Sequence, residues 1–381
     1  MTGNVTRRGK NSWRLKFEAG DRDPATGKRR TRYATLHGTK KQAQVELIRL
    51  LAAVNDGTAV DPSKSTVGEY LVAWLDNDTE LSPKTKERYR QLAEQQIIPH
   101  LGSIGLQKLR PAQIDAWHAT LLKAGGKDGR PLSARTVGHA HRILHRAFER
   151  ALRLEIVARN PAHVVRPPRP GNAEVAILSP EQITAVLSAL DGHPLYPIVS
   201  AALGTGLRRG ELCALTWATL DLDAAVLRVE RSLEETALGL RFKPPKTRHG
   251  QRSVALPAPV VDVLREHRRH QLEQRLLLGF GRPAASDLVF TLPDGSPWPP
   301  DKLSRDWANL VRSRGLPRVM FHALRHSHAS ALIAAGVDVV TVSRRLGHSS
   351  PAITLGVYAH RFGSTDAAAA RAIATALGAK P

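Results

Sequence analysis

The sequence predicts a multidomain, mostly helical chain. It has a small α+β domain over residues 1–60, an all-α domain over 66–162, and a mostly α domain with a small antiparallel sheet over 175–381. Three observations carry that expectation. Strict apolar–polar alternation, the period of a half-buried strand, is confined to short stretches near the start and between 225 and 257. Most of the remainder spaces its apolar residues as a helix does. Two breaks rich in proline, serine or glycine, at 61–66 and 164–176, divide the chain, and no internal repeat is seen.

The elements follow in order. Trp13, Leu15 and Phe17 alternate with polar residues as one strand, 21–27 is turn chemistry, and 28–36 is a second, strongly basic strand. Thr39 can cap a helix carrying Ala43, Leu47, Leu50, Leu51 and Val54, which ends at 55–57. In the second segment Ser82-Pro83 is a cap and first-turn pair for a helix with a basic face. Another helix spans roughly 111 to 123. Ser133 opens a longer one that holds Val137, Leu144, Phe148 and Leu152, and Asn160-Pro161 should stop it. His139, Arg142, His145, Arg146, Arg150 and Arg153 decorate that helix. Pro167, Pro168 and Pro170 favour an extended linker. Ser179, Pro180 and Gln182 fit a new helix start, and 225–231 and 250–256 read as strands.

Composition narrows the function. Among 381 residues, 56 Lys and Arg outweigh 34 Asp and Glu, for a net charge of +22. The excess is +8 over 1–64, +7 over 65–171 and +7 over the remainder. A basic tail would concentrate it at one end; the even spread suits a chain whose every part touches a polyanion, nucleic acid above all. A basic sheet at 1–58 could lay strands in a DNA groove, or be only a folding appendage. No apolar run approaches a membrane span, no secretory leader is read at the start, and Cys213 is the single cysteine. A cytoplasmic protein with no disulfide and no cysteine-based zinc cluster is expected. His141 and His145 stand four apart as a ligating pair could, but no further ligand is read beside them, and no metal is expected.

Three stretches carry chemistry. Gly204, Gly206 and Gly210 do not make a dinucleotide fingerprint, because Arg209 stands where its last glycine would be and a helix precedes it. They shape a turn that sets Arg208 at a helix start, where a forked cation suits phosphate. His322 and Arg325, three apart, share a helical face. Leu346-Gly347-His348 is followed ten residues after the histidine by Tyr358, which alone would pass for a packed aromatic.

Together these stretches strongly resemble the tyrosine recombinase (phage integrase) family. Its signature is matched by Thr205-Gly206-Leu207-Arg208 with Glu211-Leu212, His322 with Arg325, Leu346-Gly347-His348, and Tyr358. Pro245-Lys246-Thr247 followed by Arg252-Ser253-Val254-Ala255-Leu256 matches the family's hairpin lysine. Arg209-Gly210 replaces the common Ile-Ser and leaves the catalytic arginine intact. The resemblance implies the tyrosine recombinase fold, with an arm-site domain at 1–60, a core-binding domain at 66–162 and a catalytic domain at 175–381. It implies site-specific recombination by a homotetramer on two double-stranded DNA attachment sites, in the bacterial nucleoid. A host bending factor and a directionality factor would be further partners. The arm-like first domain favours integration or excision of a phage or integrative element.

The chemistry is coherent in its own terms. Tyr358 would store the phosphodiester's energy as a 3′-phosphotyrosyl bond. Arg208 and Arg325 would clamp the non-bridging oxygens, His348 would donate a further hydrogen bond, and His322 would accept the tyrosine proton or orient the phosphate. Lys246 would protonate the leaving 5′-oxygen. Glu211 would orient its neighbours, or be a surface ion pair. No cofactor, metal or ATP is called for. Two alternatives are a type IB topoisomerase, which shares the nucleophile, and a non-enzymatic DNA-binding regulator. A 364–378 helix could dock on a neighbouring subunit.

Overall fold

The computed structural model describes residues 3–22, 29–56, 60–171, 176–245, 250–279, 281–282 and 284–358, with 370, 373–374 and 376–377 beyond them. The turn expected at 21–27 falls largely outside these residues, as do Lys246 and most of the 364–378 segment. The chain divides into two compact units, Met1–Asn172 and Ala173–Pro381.

The first unit opens with an antiparallel sheet of β1 (Gly3–Gly9), β2 (Ser12–Arg22) and β3 (Arg29–His37), in that order. Leu15 lies opposite Val5 on one side and Ala34 on the other. β1 was not expected from the sequence. As an edge strand it buries no residue fully, so its residues show little apolar alternation. Helix α1 (Lys40–Asn55) starts at Thr39, whose hydroxyl accepts the Gln42 N–H while the Gln42 side chain accepts the Thr39 N–H. Its Ala43, Leu47 and Val54 close over Leu15 and Phe17 to form a small core.

A helical cluster follows. It comprises α2 (Val67–Asn77), α3 (Pro83–Leu92), a π-helical turn at Ala93–Ile97, the short α4 (Ile98–Leu101), α5 (Pro111–Ala124) and α6 (Ala134–Arg153). Leu71, Leu75, Ile97, Ile114, Leu121, Ile143, Leu144 and Phe148 form its interior. The basic face of α3 is partly spent within the unit: Lys86 donates to the Asp76 carbonyl and Arg90 pairs with the Asp76 carboxylate. α6 ends earlier than the sequence suggested. Leu154 caps it, and Glu155 takes a left-handed φ of 56°, which turns the chain before Asn160 is reached.

The second unit contains α7 (Pro180–Ala189), α8 (Tyr196–Thr205), the four-residue α9 (Arg209–Leu212), β4 (Leu220–Asp221), β5 (Val226–Val229), β6 (Ser232–Thr236), β7 (Gly239–Lys243), β8 (Arg252–Ala255), α10 (Ala258–Leu277), α11 (Pro300–Ser313), α12 (Phe321–Ala334), α13 (Val339–Leu346) and α14 (Pro351–Tyr358). The two expected strands are β5 and β8, paired with Leu227 opposite Val254; β4 completes that sheet. The β6–β7 hairpin was not expected. Within it Glu234 is buried and paired across the hairpin with Lys243. Leu190, Ile198, Leu212, Leu303, Trp307 and Leu324 belong to the main core. A smaller cluster joins Ala329, Ile333, Val342 and Leu346 to Tyr358. No helix among the described residues is long and apolar enough to cross a membrane.

Candidate active site

Two left-handed glycines build the floor of the site. α8 ends at Gly206, with φ 67°, and α13 ends at Gly347, with φ 68°. A Cβ on Gly347 would sit 2.7 Å from the Arg252 guanidinium, and one on Gly206 would sit 2.5 Å from the His328 ring. These turns aim backbone carbonyls at two arginines. Arg325 donates to Gly206 O and Leu346 O, both at 2.7 Å. Arg208 donates to Gly347 O at 3.0 Å and to Glu211 Oε1 at 2.8 Å. Among the described residues each guanidinium is thus held by two of its five N–H donors.

Glu211 is not a surface ion pair. It is 3% exposed and lies between Arg208 and Arg252, with Arg252 Nη2 at 2.9 Å from its Oε2. Its Oε2 also accepts the Arg208 backbone N–H at 2.9 Å, so that amide is occupied from within the chain. The two guanidinium partners overcome the effect of burial and hold its carboxyl below the usual carboxylate range. Arg252 also donates to the Arg345 carbonyl at 2.8 Å. Arg345 in turn donates to His328 Nε2 at 3.0 Å and to the Gly204 and Ala255 carbonyls, while His328 donates from Nδ1 to the Leu203 carbonyl. This web joins α8, α12, α13 and β8. Arg252 and Arg345 were not singled out as site residues, since arginine is too common in this chain for either to stand out.

The reacting side chains line a cleft of about 510 Å³ in the second unit. Its walls bring together Arg208, Glu211, His322, Arg325, His348 and Tyr358, all six predicted from sequence, and add Lys243 and His326. The segment carrying Lys246 leaves the described residues after Pro245, at the cleft wall, and returns at Gly250 on the same wall. Tyr358 is 4% exposed, and its Oη lies 2.5 Å from Nδ1 of His326. His326 was not among the residues expected at the site; with His328 it suggested a metal ligand at most. It sits one helical turn from His322 on the same face of α12. His322 itself meets the His326 ring edge-on at 5.2 Å. His348 is set by a 2.8 Å hydrogen bond between its Nδ1 and Thr354 Oγ1.

Burial and crowded positive charge keep the imidazoles neutral. Partial burial, then His326, Arg325 and Arg208, push His322 down to about 4; burial, then Arg325, Arg208 and Arg252, do the same to His348. His326 is lowered by burial and by Arg325. A neutral imidazole with Nδ1 unprotonated accepts the phenol's hydrogen. Burial pushes Tyr358 up to about 12, so its proton leaves only with help. The cleft is therefore a cationic cradle with bare imidazoles and a buried phenol, suited to a phosphodiester.

Comparisons with known proteins bear on the family and the fold. Residues 177–364 match the profile described as the phage integrase family, and residues 66–122 match its N-terminal SAM-like domain. An integrase of Streptomyces ambofaciens is 31% identical over 339 residues, covering 84% of this chain and 82% of its own. The integrase of the transposon Tn1549, solved with circular intermediate DNA, is 25% identical with a TM-score of 0.67 over 82% of this chain and 99% of its own. A lambda integrase tetramer solved on a Holliday junction is 18% identical, with a TM-score of 0.57 over 95% and 97% of the two chains.

Proposed function

This chain belongs to the phage integrase family, and from that premise we propose that it is a site-specific DNA recombinase acting through Tyr358. The observation that carries the assignment is the buried Tyr358 phenol in one cleft with Arg208, Arg325, His322 and His348. Tyr358 Oη attacks the phosphorus, its proton passes to His326 Nδ1, and the bond to the 5′-oxygen breaks. Lys246 gives that oxygen its proton. N–H donors of Arg208 and Arg325 hold the non-bridging oxygens, with His348 and His322 donating beside them. Glu211, Arg252 and Arg345 are positioning residues. Rejoining reverses each step, with the 5′-hydroxyl of the other strand as nucleophile.

Cleavage requires neither metal nor ATP, since the bond energy is kept in the phosphotyrosine and the charge is met by fixed cations. The names of the relatives favour recombination over DNA relaxation by a single enzyme or binding alone. Residues 1–60 take arm sites, 66–162 the core site, and 175–381 the chemistry. A homotetramer on two attachment sites follows from the family premise, and the lambda relative was solved as a tetramer on a Holliday junction. A host bending factor and a directionality factor would act on that assembly.

Trapping on a nicked suicide substrate tests the assignment. The wild type is expected to give a 3′-phosphotyrosyl adduct in excess EDTA, below the melting temperature of the metal-free protein. Tyr358→Phe should give none while retaining DNA binding. His326→Ala should slow adduct formation on the order of 10²–10⁴-fold, the usual scale of proton-transfer catalysis, and His322→Ala should leave proton removal from Tyr358 in place. An adduct that persists in Tyr358→Phe overturns the nucleophile.

A further inference from the structure

We propose that the helical part of the first unit binds one divalent transition-metal ion through His145, Glu149 and His163. Their ligand atoms all lie within 4.8 Å of one another. His145 and Glu149 stand one turn apart on α6, with His145 Nε2 3.9 Å from Glu149 Oε1. His163 arrives from the turn after α6, its ring centroid 6.0 Å from that of His145. By spacing alone His145 pairs with His141 instead. His141 turns inward, buried at 4% exposure and hydrogen-bonded to His118.

One residue, Asn160, ties the three ligands together through its side chain and its backbone carbonyl. Asn160 Nδ2 donates to the Glu149 carboxylate at 2.7 Å and to the His145 carbonyl at 3.0 Å. Asn160 Oδ1 accepts the Ala162 N–H at 2.9 Å, and Asn160 O accepts the His163 N–H at 3.2 Å. The turn bearing His163 is therefore fixed to the helix at the two residues it would join. A polar partner on a ligating carboxylate is the usual supporting contact of a metal site, because it fixes which oxygen lone pair faces the ion.

The donor set is two imidazoles and one carboxylate, with solvent free to complete the shell because His163 is exposed. Such a set suits Zn²⁺ or Co²⁺ rather than Mg²⁺. Ligand bonds of about 2.0–2.2 Å require the three atoms to close by roughly an ångström, within the reach of side-chain rotation. Arg142, Arg146 and Arg150 on the same helix oppose a dication, so micromolar rather than nanomolar affinity is expected. The ion would clip the chain leaving α6 back onto that helix, just before the proline-rich stretch.

The test uses the full chain, stripped with EDTA and dialysed, then titrated with Zn²⁺ by calorimetry and with Co²⁺ by visible absorption. One equivalent is expected to bind and to raise the melting temperature. His163→Ala, an exposed position, should fold as the wild type does without metal. His163→Ala and Glu149→Gln should each lower affinity at least tenfold and remove the thermal gain, a loss on the scale of a ligand contact. His270→Ala removes an exposed His–Glu pair on α10 and should change neither. Absence of saturable binding below 1 mM (a bound of about 4 kcal/mol), or binding that survives both ligand variants, overturns the proposal. Neither readout depends on Tyr358 or on DNA cleavage, so the site stands or falls apart from the recombinase reading.

Discussion

Arg208 and Arg325 differ in environment although both face the cleft. Arg325 is 4% exposed and, among the described residues, bonded to two backbone carbonyls; burial and the neighbouring Arg208 lower its pKa, and it still carries its charge at neutral pH. The Arg208 side chain is 41% exposed and leans on the buried Glu211. Both are fixed forks, whereas the Lys246 ammonium is a point charge that can release a proton. Replacing the bridging 5′-oxygen by sulfur makes a leaving group that needs no acid. Lys246→Ala is therefore expected to lose about 10²–10⁴-fold on normal DNA and to recover most of it on the sulfur-bridged substrate. Arg208→Ala and Arg325→Ala should recover nothing. Single-turnover cleavage rates decide this: equal slowness of Lys246→Ala on both substrates would make the lysine a phosphate contact.

The elements around the cleft are short, and their ends do the positioning. α9 has four residues, so its role is to turn the chain and bury Glu211 rather than to offer a helix terminus. Gly347 closes α13 in a left-handed conformation beneath Arg252. Gly347→Ala should cost about 1–2 kcal/mol in backbone strain alone. It should also push the Arg252 guanidinium off Glu211 and tilt Arg208. The expected outcome is a lower melting temperature together with slower cleavage, while DNA affinity in a gel-shift assay holds. Unchanged cleavage would mean that the Arg252–Glu211 pair is structural support only.

At the scale of the molecule, charge and proton linkage set the behaviour. Residues 1–64 carry a net +8. Deleting residues 1–60 should spare cleavage of a core site and weaken binding to arm-containing DNA. The slope of log affinity against log salt should fall by about 0.9 for each phosphate that the shortened chain no longer neutralises. An unchanged slope and footprint would leave the segment a folding appendage. Acid should destabilise the free protein. His141, His322, His328 and His348 are each lowered to about 4, below their ordinary value of 6.5. The unfolded chain therefore binds protons that the folded chain refuses, and stability present above 6.5 is lost as pH falls towards 4. Glu211, held low by its arginines, acts in the same direction at lower pH. Thermal scans from pH 7 to pH 5 should show a falling melting temperature, and DNA should lessen the fall by favouring charged histidines. A flat profile would place those rings in wetter surroundings than the structure gives them.

By itself the sequence determined several of the helices and named six of the side chains that line the cleft. Caps such as Thr39, Ser133 and Ser179 and the apolar spacing within α6 are local signals, and local spacing puts His322 and Arg325 on one face of α12. A motif of that kind is legible because the chemistry demands residue types at short intervals. Tertiary structure alone decided which groups meet. Arg208 reaches Gly347, 139 positions away, and Arg252 reaches the Arg345 carbonyl, 93 away. His326 rather than His322 touches Tyr358 because α14, packed on α13, brings its phenol to the later turn of α12. The β6–β7 hairpin and the depth of Glu211 were hidden for the same reason. A charged residue reads as exposed until the partner that permits its burial is placed beside it, and no local spacing specifies that partner.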